Sequence, residues 1–208
     1  MNQLMARLYD NIDEAKAFAL SFTNFVYDYD DVIIDDYFII PCKHCKRMIQ
    51  AKDYLAPKAN CKNPCGILTT FHFGVSIELR DQLMERFEIS EQDFRPIRNK
   101  RGEIVYYQIT PQHTMLPLQK ENDWKAAKLC PQCGSLYYKD HHYENSKGEK
   151  YYYISQQALD EMHDINVTYE CFSRFYIPRF VISRRVYNFL VERYPRTHYF
   201  PFYLKETT

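Results

Sequence analysis

Glycine is nearly missing from this chain, with five in 208 residues, and none of the five belongs to a phosphate-cradling loop or a dinucleotide fingerprint. A serine nucleophile elbow is missing as well. Net charge is zero, 27 Lys and Arg against 27 Asp and Glu, which removes the bulk attraction on which nucleic-acid proteins rely. No apolar run approaches the roughly 20 residues of a membrane span, and the N-terminus carries neither a basic leader with an apolar run nor a cleavage signal. The expectation is a cytoplasmic protein without a membrane partner.

What is present is aromatic. Nineteen tyrosines and fourteen phenylalanines supply large, rigid contact area for a core and for an exposed face. With 46% apolar residues, a chain of this length can bury one large core or two small ones. Charge is segregated even though it sums to zero. Residues 1 to 40 hold eight carboxylates against two basic groups, and residues 171 to 208 hold seven basic groups against two acids. Each is read as a solvated face or a contact patch.

Hydrophobic spacing predicts short elements. "MARLYD" reads as a short edge strand, and "EAKAFALSFTNFVYD" reads as a helix because Phe18, Phe22 and Phe25 recur at spacings of four and three. "ILTTFHFG" and "GEIVYYQIT" read as strands. The prolines and Trp124 make residues 111 to 129 a connector. "SLYYKDHHY" and "KYYYIS" flank "ENSKG" as a hairpin turning near Gly148, and Ser155 opens a short helix carrying Ala158, Leu159 and Met162.

One pattern occurs twice. Val75-Ser76 followed by Leu79, Leu83 and Phe87 is repeated as Ile182-Ser183 followed by Val186, Leu190 and Tyr194, every pair 107 residues apart. The unit is a strand, a serine placed to cap, and a helix with one apolar stripe. The fold class is therefore α+β: short helices on mainly antiparallel sheet, with two similar strand-helix-strand halves and zinc-knuckle loops. The division expected is an N-terminal half, residues 1–110, with a cysteine-rich insertion, and a C-terminal half, residues 111–208, with a second CxxC knuckle, the hairpin and the repeated unit.

Seven cysteines, three close pairs and Cys171, fit a reducing compartment better than a disulfide framework. Cys42 and Cys45, then Cys61 and Cys65 after fifteen residues, have the spacing of a closed structural zinc site. Such a site fastens a loop that lacks a core of its own, since metal binding energy is also folding energy there. Cys130 and Cys133, followed by Gly134, form a further knuckle. It can join Cys42 and Cys45 in one long-range site, recruit His141 and His142, or bind nothing. Spacing points first to the local set Cys42, Cys45, Cys61 and Cys65. Cys171 reads as a buried small residue. Four thiolates leave no open position for catalysis, and no histidine is placed as an evident base, so an enzyme is not expected.

The chain resembles a bacterial family, the double-CXXCG motif proteins, which look like immunity proteins of polymorphic toxin systems. The resemblance runs through "RLYD", Cys42-Lys43-His44-Cys45, Cys130-Pro131-Gln132-Cys133-Gly134, "LDEM", "VTYECFS" and "FVISRRVYNFLVERY". Two departures accompany it: Lys46 stands where the family pattern has glycine, and the Cys61/Cys65 pair is extra. The resemblance implies that the two knuckles share one ion, and that the protein is a stoichiometric inhibitor of a cognate toxin protein. The acidic residues Asp28, Asp30, Asp31, Asp35 and Asp36 are then candidates for contact with a basic toxin surface. The alternative is a zinc-knuckle nucleic-acid module using Arg184, Arg185 and nearby tyrosines.

Overall fold

The computed structural model describes residues 3–21, 38–39, 42–45, 50–51, 63–69, 72–99, 101–139, 142–172, 177–195 and 197–205. In chain order the elements begin with helix α1 (Gln3–Leu8) and strands β1 (Ala17–Ser21), β2 (Phe38–Ile39), β3 (Gln50–Ala51), β4 (Cys65–Thr69) and β5 (His72–Val75). Helix α2 (Ile77–Arg86), β6 (Phe94–Arg98), β7 (Ile104–Ile109), β8 (Lys125–Leu129), β9 (Leu136–Lys139) and β10 (Tyr143–Glu144) follow. The chain closes with β11 (Lys150–Ile154), α3 (Gln156–Asp160), β12 (Ile165–Phe172), β13 (Ile177–Ser183), α4 (Arg184–Arg193) and β14 (His198–Leu204). No helix among the described residues is long and apolar enough to cross a membrane.

Two compact units result. One comprises residues 1–21 with 113–208, and the other residues 22–112. The boundary expected at residue 110 falls at 112, and the first 21 residues join the C-terminal unit. The reason is β1, which lies inside the six-stranded sheet β10-β11-β14-β1-β13-β12. The other unit holds the four-stranded sheet β4-β5-β7-β6.

The repeat seen in the sequence is a repeat of topology. Helices α2 and α4 each span ten residues, and their bounds are offset by the same 107 residues. Ser76 Oγ accepts from Leu79 N, and Ser183 Oγ accepts from Val186 N, so each serine satisfies one orphan donor of its helix. In one sheet β5 and β6, joined through α2, both pair antiparallel with β7 between them. In the other sheet β13 and β14, joined through α4, both pair antiparallel with β1. An edge strand completes each, β4 on β5 and β12 on β13. Parallel strands need a crossover, and the helix supplies it in both places. The difference lies in the central strand, which follows β6 directly in one case and comes from the N-terminus in the other.

Three expectations are corrected. Residues 17–21 form a central strand, not a helix, because Ala17, Phe18, Ala19 and Leu20 are buried without interruption. A strand covered on both faces loses the alternation that would reveal it. Phe18 stacks on Tyr187 of α4 at 3.6 Å and 7°, whereas Phe22 and Phe25 lie outside the described residues. "MARLYD" contributes to α1, not a strand: Met5 and Tyr9, four apart, are both buried, and Tyr9 N donates to Met5 O. Lys125–Leu129, inside the expected connector, is also a strand.

The expected hairpin holds from Tyr143 to Ile154, with the turn at Asn145–Gly148 and Gly148 at φ 74°. Leu136–Lys139 does not join it and pairs instead with β8. On one face of the large sheet, Ala17, Ala19, Tyr152, Val181 and Phe202 pack with Trp124 and Ala158. On the other, α4 packs against β1 and β13 and buries Val186, Tyr187, Phe189, Leu190 and Val191.

Candidate metal centre

The second knuckle is built by a hairpin. Strands β8 and β9 pair antiparallel to the last rung, Leu129 opposite Leu136, and Cys130 N extends the ladder by donating to Ser135 O at 2.9 Å. The chain then reverses through Pro131 and Gln132. Gly134 N donates to Cys130 O at 2.9 Å, with Gly134 at φ 70°. That is the left-handed region, which glycine enters without steric cost. A side chain there would meet nothing within 4 Å, so a substitution is penalised by backbone strain and not by crowding. The first knuckle, Cys42 to Cys45, falls in the chain between β2 and β3, which also pair antiparallel.

The sulfurs of Cys42, Cys45, Cys130 and Cys133 all lie within 4.8 Å of one another. Tetrahedral coordination with metal–sulfur bonds of about 2.3 Å requires sulfurs about 3.8 Å apart, so the four are placed to hold a metal ion. Cys42, Cys45 and Cys130 are buried and Cys133 is exposed. The Cys133 sulfur also lies 3.2 Å from Ser135 Oγ, a hydroxyl that can donate to a thiolate and hold its orientation.

Of the six sequence-predicted ligands, the structure therefore groups the four of the long-range set. The local set favoured by spacing is not what is brought together, since Cys42 and Cys45 lie with Cys130 and Cys133 and not with Cys65. Cys65 opens strand β4, buried, and burial pushes its thiol up to about 12, which keeps it protonated and inert at neutral pH. Cys61 lies outside the described residues, as do Asp28, Asp30, Asp31, Asp35, Asp36 and His141. Cys171 is half-buried on β12 and not fully buried as expected.

The histidines and the basic C-terminal segment take other partners. His142 Nε2 lies 3.1 Å from Glu144 Oε1, His113 Nδ1 lies 2.8 Å from Asn166 Oδ1, and the His113 and His163 rings stack at 3.9 Å. Arg184 donates to the carbonyl oxygens of Ile12 and Ala15 at 2.8 and 2.7 Å. Arg185 grips the buried Asp164 carboxylate with both Nε and Nη2. Arg179 lies over the rings of Tyr152 and Phe172, and burial lowers its guanidinium to about 10. These arginines serve the fold, a use that counting charges along the sequence does not reveal. Comparison with known proteins returned no match of any kind: no family model, no curated protein and no solved structure is similar to the chain.

Proposed function

We propose that the chain is a zinc-clipped protein inhibitor, an immunity protein that binds a cognate toxin in equal stoichiometry. The observation that carries this reading is the meeting of the two CxxC turns, the ligand set that the family resemblance implies and that spacing alone did not favour. Zinc is the ion the donor set suits best, because four thiolates in a closed site select a soft, tetrahedral, redox-inert cation. Its role is structural. It ties together chain positions about 85 residues apart and leaves no coordination position for a substrate. The nucleic-acid alternative loses weight because Arg179, Arg184 and Arg185 are already engaged within the fold.

The test is capture of the tagged chain from its source cells after nuclease treatment, followed by expression of any partner's C-terminal domain alone and together with this chain. A domain that stops growth alone, and is silenced by this chain at a one-to-one ratio, supports the reading. Nucleic acid as the co-eluting species, with steeply salt-dependent affinity, overturns it.

A further inference from the structure

The outer face of the β10-β11-β14 end of the large sheet is paved with tyrosine. Tyr143 lies opposite Tyr151, and Tyr153 lies opposite Tyr203. Residues opposite each other on neighbouring strands share a face, and residues two apart on one strand do too. All four rings therefore stand on the same side, while Tyr152 and Phe202 point into the core. Three of the ring pairs meet edge to face, Tyr143 with Tyr153 at 69°, Tyr151 with Tyr153 at 85° and Tyr151 with Tyr203 at 74°, while Tyr143 and Tyr151 stack at 28°, all with centroids 4.8 to 5.7 Å apart. Tyr9 and Glu14 line the same cleft. Its volume is about 550 Å³, within the range of small-ligand sites.

Three features suit this cleft to a cation. The faces of the rings carry the negative lobe of their quadrupole. Carboxylates lie close by: Glu14 in the lining and near enough to Tyr203 to disfavour its ionisation, Asp123 accepting from Tyr143 Oη at 3.0 Å, and Glu149, which acts on Tyr9 in the same sense and lies 3.5 Å from His198 Nε2. The one opposing charge acting on Tyr203, Arg184, is held by the carbonyl oxygens of Ile12 and Ala15. Tyr203, 8% exposed, has a hydroxyl with no hydrogen-bond partner among the described residues, a buried polar group of the kind that a ligand satisfies. Lys205 also lines the cleft, and its ammonium is held by the Glu121 carbonyl oxygen at 3.0 Å. Tyr9, Tyr143, Tyr151 and Tyr203 stay neutral at physiological pH. Burial first, then the bond to Asp123, pushes Tyr143 up to about 12, and burial raises Tyr9 and Tyr203 further.

We propose that the box formed by Tyr143, Tyr151, Tyr153 and Tyr203 with Tyr9 and Glu14 binds an organic cation, an alkylammonium or guanidinium group. The site is independent of the metal centre and of the inhibitor reading.

The test is a titration of the full-length chain, as purified, with choline, with its uncharged carbon isostere 3,3-dimethyl-1-butanol, and with short peptides carrying one arginine or one trimethyl-lysine. Tyrosine ring signals are followed by NMR. Saturable binding of a charged probe that moves the Tyr143, Tyr151, Tyr153 and Tyr203 signals is expected, with the alcohol at least about tenfold weaker. Preference for the peptides assigns the cation to a protein side chain, and preference for choline assigns it to a small amine. Tyr153→Leu should weaken binding about tenfold. Glu14→Gln, at an exposed position that leaves the fold intact, should weaken it severalfold. Equal binding of the alcohol, or no saturation by any charged probe, overturns the proposal.

Discussion

Removing the metal should unfasten the chain by an amount that the ligand set determines. If Cys42 and Cys45 are tied to Cys130 and Cys133, the cross-link closes a loop of about 85 residues, and the chain-entropy relation gives about 4.5 kcal/mol of stabilisation. The local set would close a loop of about 16 residues, worth about 3 kcal/mol. For a chain of this size the larger figure corresponds to a fall in Tm of about 10 to 15 °C on chelation. Single Cys→Ser variants locate the ligands independently of the size of that shift. C42S, C45S, C130S and C133S should each lose the bound metal, identified and counted by mass spectrometry of the eluate, and each should reproduce most of the Tm loss. C61S and C65S should retain one ion per chain. A Tm shift below about 3 °C on chelation, or loss of the metal in C61S and C65S with retention in C130S and C133S, would refute the assignment.

The two helix caps provide an internal comparison. Ser76→Ala removes one cap bond and should cost about 1 kcal/mol in urea unfolding, whereas Ser183→Ala should cost about 2 to 3 kcal/mol, because Ser183 Oγ also donates to the buried Asp164 carboxylate at 2.5 Å. Equal costs would count against that second role. Phe18→Ala should cost about 3 to 5 kcal/mol, the range for a fully buried aromatic side chain; a loss under about 1 kcal/mol would place Phe18 outside the core. Burial lowers His198 against the opposing pull of Glu149, so the folded state favours the neutral ring. Its contribution to stability is complete above the unfolded value of about 6.5 and is lost as pH falls toward the folded one. His198→Phe should therefore flatten the fall in urea midpoint as pH is lowered below about 6.5. Thiol labelling of the native chain should spare buried Cys65 and, after chelation, begin at exposed Cys133.

Much of the architecture was legible where short-range chemistry decides the outcome. A serine before an apolar stripe at spacings of three and four specifies a capped helix from within a dozen residues, which is why α2 and α4 could be read together with their 107-residue offset. The hairpin turning at Gly148 and the strands β7 and β13 were legible for the same reason. Residues 17–21 were not. Apolar residues in an unbroken run suit a helix interior or a strand buried on both faces, and only the docking of β13 and β14 on either side of β1 selects the strand.

The metal centre shows the same division. Two residues between cysteines are enough to say that both sulfurs of a knuckle can turn toward one ion, and a glycine after the last cysteine anticipates the left-handed turn at Gly134. Which knuckles meet is a long-range question. Spacing along the chain favours the partner that closes the shorter loop, Cys61 with Cys65, because closure entropy is all that a sequence interval encodes. The tertiary structure overrides that preference by bringing Cys130 and Cys133, on the β8-β9 hairpin, to Cys42 and Cys45. The tyrosine box was hidden in a like manner, since alternation in "KYYYI" separates two faces of a strand, and only the registers with β10 and β14 gather Tyr143, Tyr151, Tyr153 and Tyr203 on one of them. By itself, then, the sequence determined the local units, their caps and their pairs of sulfurs. The tertiary structure decided which units meet, because contacts between residues far apart in the chain depend on strand order and register, which no short interval contains.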